Sequence, residues 1–278
     1  MLRVITLGVV FFFSQSFYAQ DKLKDQNLWN NFTTDMDYVL GGIGYAYSRP
    51  LHWGKPDFIN LGIITSSTLG IYAVDEQVSR KFIENKERVP DILLKYGWYV
   101  GTPQINYGLT GGIYLTGLLT RNNKLRRTGV LLMSSATATG FLQQLTKSAT
   151  GRARPNTGFG KNHFRPFGGS AAYRSFPSGH AVLTFTSAHV IAKQFKSWWI
   201  KGPIYSLGII PGLTRIYEGA HWMSDVFLSW SISYFVVEAI DRYLNSRYDE
   251  TADDFKMKNK TNISLAFSGN TLGVNVVF

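Results

Sequence analysis

Pro177-Ser178-Gly179-His180-Ala181-Val182-Leu183 reads as the start of a helix. Ser178 stands where a hydroxyl caps a first turn, and the apolar residues from Ala181 onward supply a face to bury. Gly179 has no side chain to keep a ligand from the backbone N–H groups, so this helix start is also a seat for an anion, which His180 would face. Outward from it, breakers fall at Pro90, at Pro103, from Arg121 to Lys124, through the glycine- and proline-rich stretch 151–177, and at Gly202-Pro203. They separate six helical candidates, at about 58–74, 92–119, 128–147, 179–195, 203–217 and 221–245, with a short amphipathic connector from Asp75 to Lys86. The expected fold is all-α, a six-helix core over residues 58–247. An aromatic and glycine-containing entry segment, 20–57, precedes it, and a charged linker with a tail, 248–278, follows.

The two ends differ in kind from the core. Residues 1–19 read as a secretory signal: Arg3 is their only charge, an apolar run covers Val4 to Phe13, and a polar exit leads to Ala19. The mature chain would begin at Gln20 in the periplasm or cell envelope, and with no cysteine it forms no disulfides there. In the tail, Ile263, Leu265 and Phe267 alternate on one face, as do Leu272, Val274, Val276 and Phe278, around Ser268-Gly269-Asn270. Period-two alternation about a glycine-containing turn predicts a β-hairpin. A terminal Phe also fits the last strand of an outer-membrane barrel, but two strands cannot close one.

Charge is uneven. The chain carries a formal +11, yet between Asp91 and Glu218 there are fifteen basic residues and no acidic one. Such a field favours anionic partners, either phosphorylated substrates or anionic lipid headgroups. Nucleic acid is not expected, because the basic residues interrupt apolar helices and no nucleic-acid-binding module is present.

Two further strings carry chemistry. Asp225 follows His221 by four residues, so on a helix the two share a face. There the carboxylate would accept one imidazole N–H, fix the tautomer and leave the other nitrogen as a nucleophile. Lys147 ends an apolar helix, and Arg154 precedes Pro155, whose ring keeps Arg154 extended and free to point its planar fork at phosphate oxygens. Arg215, near the end of the fifth helix, would approach from the opposite side. His189 reads as a core or interface residue, and His163 sits in the 156–176 loop, whose aromatic and basic residues suit contact with whatever the phosphate is attached to.

Taken together, Lys147-x6-Arg154-Pro155, Pro177-Ser178-Gly179-His180 and Thr214-Arg215-x5-His221-x3-Asp225 resemble the motifs of the type 2 phosphatidic acid phosphatase and vanadium haloperoxidase superfamily. Thr214 replaces that family's serine and keeps the hydroxyl. The resemblance covers about residues 128–245. It implies a helical core of the acid phosphatase type and a metal-independent phosphatase with no cofactor, acting on a phosphomonoester or pyrophosphate of a lipid. It also implies that His221 forms a phosphohistidine with Asp225 orienting it, and that His180 protonates the leaving group. Lys147, Arg154, Arg215, Ser178 and Gly179 would hold the phosphate. The other classes left open are a vanadate-dependent haloperoxidase using the same seat and a non-catalytic lipid-headgroup binder of the envelope.

Relation to the membrane is read from polarity. The mean hydropathy is −0.06, and Asn106, Gln143, Gln144 and Lys147 interrupt the apolar runs. With a cleaved signal and three crossings before Lys147, the motifs would face the cytoplasm, against the preference of Arg121–Arg127 for that side. The expectation from sequence is therefore a periplasmic helical domain resting on a membrane surface.

Overall fold

The structure is a computed structural model that describes residues 27–258, 262–268 and 271–277, with side chains over 27–248. The secretory signal read at residues 1–19 lies outside the described residues, as do residues 269 and 270 of the tail's turn. Eight α-helices are described: α1 Leu28–Ser48, α2 Lys55–Glu84, α3 Asp91–Val100, α4 Pro103–Leu119, α5 Asn123–Thr150, α6 Gly179–Lys193, α7 Trp198–Tyr217 and α8 Met223–Lys258. Past them, β1 Asn262–Ser268 and β2 Thr271–Val277 pair antiparallel, with Leu265 opposite Val274.

The helices depart from the six candidates at identifiable places. The entry segment contains the whole of α1, capped where the Asn27 side chain accepts the Trp29 N–H at 3.2 Å. The candidate at 58–74 and its connector are one helix, α2. Asp57 holds the Gly54 N–H at its start (2.9 Å), and Asp75, the charge at which the apolar run seemed to end, is buried against Arg152. The candidate at 92–119 is two helices, because Thr102 is extended and Pro103 opens the second one. α7 begins before Pro203, which falls early enough to cost one backbone hydrogen bond without ending the helix.

α5 is the central element, packed on α1, α4, α6 and α8. Val130, Leu131 and Leu132 of α5 meet Val39, Ile113, Leu118, Val190, Val237, Ile240 and Leu244 in a core that fills one end of the bundle. Nearer the other end the buried positions turn small and polar: Ser135 and Thr139 on α5, Thr184 and Ser187 on α6, Ser229 and Ser233 on α8. Small residues let these helices approach closely, and their hydroxyls bond to helix carbonyls, as Ser233 Oγ does to Val182 O at 3.0 Å. Lys147 of α5, the start of α6, Arg215 of α7 and the start of α8 meet at that end, around the short chain segments that join them.

Candidate active site

α5 ends at Thr150, three residues after Lys147. Gly151 adopts a left-handed conformation (φ 56°) and returns its N–H to the Lys147 carbonyl at 3.1 Å. The chain then runs extended and is gripped from both sides: Ala153 N–H donates to His163 O, Arg154 N–H to Ala172 O, and Ser175 N–H to Arg152 O, at 2.9, 2.9 and 3.0 Å. The 156–176 loop is therefore tied to the body along its inner run. His163 stacks on Phe159 in that loop, at 4.9 Å between ring centres, and its ring meets the Tyr173 hydroxyl at 3.3 Å. His189 is buried and bonded to Tyr205 and Glu238, which matches a core role.

Ser178 caps α6 as read from sequence, its side chain accepting the Ala181 N–H at 3.4 Å, and its own N–H is held by Ser229 Oγ at 2.9 Å. His180 in the first turn is packed beneath α3. A Cβ on Gly101 would come within 2.2 Å of the His180 ring, and one on Gly97 within 2.0 Å of Thr214 Oγ1, so only glycine at both positions lets α3 lie this close. Between those glycines Trp98 bridges the two motifs, with Arg215 over its ring at 4.8 Å and His180 against it at 5.6 Å. Thr214 spends its hydroxyl on the Pro211 carbonyl (2.9 Å), a bond that the family's serine could also make.

His221 is buried, and its Nδ1 lies against the backbone carbonyl of Ser175. A carbonyl only accepts, so Nδ1 carries the proton and Nε2 keeps its lone pair. The direct His221–Asp225 bond expected from their spacing is not formed. α8 begins at Met223, so His221 lies in the turn before it and the two residues do not share a helical face. Asp225 instead accepts the Trp222 N–H at 2.9 Å, the Ser175 hydroxyl at 2.5 Å and Arg152 at 2.5 Å. It reaches the histidine through Ser175.

Lys147 and Arg154 both act electrostatically on His221, and Arg215, Lys147 and Arg154 act on His180. The structure thus brings Lys147, Arg154, Ser178, Gly179, His180, Arg215, His221 and Asp225 to one place. Among the described residues, Arg154 Nε and Arg215 Nε are buried without a hydrogen-bond partner, two donors suited to a bound anion. His180 Nε2 is buried and unpartnered beside them, its pKa pushed down to about 4 by burial first and then by Arg215 and Lys147. Arg215 also pairs with Glu218 at 2.6 Å. Burial, then the neighbouring Arg174, push Arg154 below the ordinary arginine range. Burial first, then Lys147 and Arg154, push His221 well below the ordinary histidine range.

The sign for His221 follows directly. A lowered pKa means that the neutral, nucleophilic form persists as pH falls. In phosphate-free protein His221 is expected to be neutral at about pH 6.5, where an unperturbed histidine is half charged. A titration of ring-15N-labelled histidines by NMR checks this, and a half-protonated His221 at that pH would contradict it.

Sequence reading missed Arg152, Ser175, Asp75, Ser224 and Trp98, and took Arg174 only as one of the basic residues of the 156–176 loop. Arg174 donates to Gln144 at 2.9 Å and adds a fourth cation beside Lys147 and Arg154. A usable signal existed for Asp75 alone: it is the first acid after the apolar run 58–74, in a chain with excess cations.

The PAP2 superfamily profile matches residues 128–248. The lipid A 1-phosphatase of Rhizobium etli is 36% identical over 105 residues, covering 35% of this chain and 42% of that protein. The undecaprenyl-diphosphatase of Sulfolobus acidocaldarius is 27% identical over 126 residues, covering 45% of this chain and 59% of that protein. The match thus spans between two-fifths and three-fifths of these curated relatives. The crystal structure of a transmembrane PAP2-type phosphatidylglycerolphosphate phosphatase from Bacillus subtilis superposes with a TM-score of 0.50 at 18% identity, covering 66% of this chain and 94% of that one. Over residues 128–248 the chain is thus similar to the PAP2 superfamily.

Proposed function

We propose that the protein is a metal-independent lipid phosphatase, seated in a bilayer, that passes a phosphoryl group from a lipid phosphomonoester or diphosphate through His221 to water. The observation that carries this reading is the Nδ1 bond of His221 to a carbonyl, which frees Nε2 beside a cluster of buried cations. In the first step Nε2 attacks phosphorus, the bond from phosphorus to the lipid oxygen breaks, and His180 gives that oxygen a proton. In the second, water attacks the phosphohistidine, His180 takes back a proton, and phosphate leaves. Lys147, Arg154 and Arg215 hold the three equatorial oxygens. At about 1.5–3 kcal/mol for each charge-assisted bond, they supply several kcal/mol toward the transition state.

Two kinds of support point to a lipid. The relatives named above act on lipid A and on an undecaprenyl diphosphate. The helices also present apolar side chains outward: Phe58, Ile59, Ile63 and Leu69 on α2, Ile105 and Leu115 on α4, Phe141 and Leu145 on α5, Trp198 and Trp199 on α7. An 18-residue window of α2 has a mean hydropathy of 1.2 with none of it buried in the protein. A soluble monomer rarely exposes so much apolar surface, whereas a bilayer covers it.

Of the polar interruptions that argued against spanning, Asn106, Gln143 and Lys147 turn inward, while Gln144 is exposed and bonded to Arg174. Asn106 donates to Leu183 O and Ser187 Oγ at 3.1 and 2.7 Å, and Gln143 donates to Pro177 O at 3.3 Å. From Asn123 to Lys147, α5 rises about 36 Å at 1.5 Å per residue, close to the thickness of a bilayer. Arg121, Lys124, Arg126 and Arg127 thus mark the cytoplasmic face and the site the outer one. With α1 counted as a further crossing before Lys147, the two constraints agree in this reading.

One experiment tests both parts. Membranes carrying the protein are washed in alkaline carbonate with EDTA and assayed for phosphate release from phosphatidate, phosphatidylglycerophosphate, undecaprenyl diphosphate, lipid A and a soluble ester. Activity is expected to stay in the pellet and to favour a lipid over the soluble ester. Protein released into the wash would overturn the bilayer seating, and no release from any lipid would overturn the phosphatase reading.

A further inference from the structure

We infer that Asp75 and Arg152, which lie outside the motif residues, are positioning residues that set the orientation of the His221 ring. Asp75 comes from α2, ahead of the segment that the family profile matches. The inference rests on the reading of His221 as the nucleophile.

Arg152 is 1% exposed and every nitrogen of its guanidinium is used. Nη1 donates to Asp225 Oδ1 at 2.5 Å and to Ser224 Oγ at 2.9 Å, Nη2 donates to Asp75 Oδ2 at 2.9 Å, and Nε donates to Lys161 O at 3.2 Å. The plane of the fork lies over Tyr72 at 4.6 Å. Asp75 also accepts the N–H of Ser224 at 3.0 Å and its hydroxyl at 2.5 Å, which fixes the first turn of α8. With Oδ1 of Asp225 held by Arg152, Oδ2 faces the Ser175 hydroxyl and the Trp222 N–H. Ser175 is gripped a second time by its N–H on Arg152 O, and its carbonyl takes the Nδ1 proton of His221. The path from Asp75 to the nucleophile is continuous.

Two carboxylates sharing one guanidinium are an expensive way to join helices, since apolar side chains of similar volume generally do it at lower cost. α2 nevertheless makes its buried contact this way: of its 30 residues, the buried ones are Asp75 and Ser79. The polar anchor lies directly behind His221, where a small rotation of the ring would misdirect its lone pair.

The test uses full-length protein in detergent micelles, with phosphatidate as the substrate and two readouts. The first is the split between kcat and KM. The second is the Nδ1–H NMR signal of His221, assigned by its loss in His221→Ala. For Asp75→Asn and Arg152→Lys, kcat is expected to fall about 10- to 100-fold, the scale on which outer partners of a reacting group act, with KM within about twofold. The Nδ1–H signal should broaden or shift in both variants. Ser224→Ala, which removes one clamp and keeps every charge, should lower kcat about 3- to 10-fold with the same signature, and it decides the question if the charge variants do not fold. An unchanged kcat and an unmoved signal in a folded variant would overturn the inference. If the wild-type protein hydrolyses no phosphatidate, the function proposal is in question and the NMR readout alone decides the positioning role.

Discussion

His221→Ala is expected to lower kcat by at least about 10⁴-fold while the protein still folds and binds vanadate weakly through Lys147, Arg154 and Arg215. The size follows from what is lost. Without Nε2 the one-step displacement by water must replace two easier steps, and losing a nucleophile that works as a unit with its partners costs on the order of 10⁶-fold in a well-studied hydrolase. The cation cluster does not depend on the imidazole, because Gly151 and the extended run after it fix Lys147 and Arg154. Steady-state rates on the best lipid of the panel, with vanadate inhibition of wild type as the reference, measure both. A variant retaining a tenth of wild-type kcat would show that another group attacks phosphorus.

His180→Ala is expected to act on one half of the reaction. His180 is half-buried in the first turn of α6 with its Nε2 buried and unpartnered, where in its protonated form it can give a proton to a leaving oxygen. General-acid catalysis contributes about 10²–10⁴-fold, and the contribution grows as the leaving group becomes more basic. Rates across phosphate esters of graded leaving-group pKa should therefore fall least for phenolic esters and most for alkyl ones, steepening the dependence on leaving-group pKa. An equal loss for every ester would place His180 in binding and remove it from proton transfer. The Trp98 and Gly101 packing that holds the ring makes Gly101→Ala a related case, since the added Cβ would displace the imidazole.

The readable part of the site was local. Lys147, Arg154, Ser178, His180, Arg215 and His221 sit in short strings whose spacing reflects helix ends and a proline, so their types and order suffice to name them. The role of Asp225 was misread for a local reason as well: a four-residue spacing has meaning only inside a helix, and α8 starts two residues after His221. The support behind the histidine was not legible, because Asp75, Arg152, Ser175 and Asp225 meet across 46 to 77 residues of chain. α1 was hidden by composition. Its glycines and aromatics lower intrinsic helix propensity, and packing of Val39 against Ile240 and Leu244 outweighs that. Mean hydropathy is also too coarse to show which positions face outward. It counts Asn106 and Gln143 as polar, but their partners lie inside the bundle, while large apolar side chains such as Phe58 and Ile63 are exposed.

The central claim is that phosphate passes through Nε2 of His221. Rapid-quench trapping with a substrate labelled at the transferred phosphate, in protein that turns over, tests it most directly. A burst of protein-bound label that is acid-labile, is stable in alkali and maps to His221 is the expected result. Label on another residue, or turnover with no protein-bound label on the time scale of a single cycle, would contradict it.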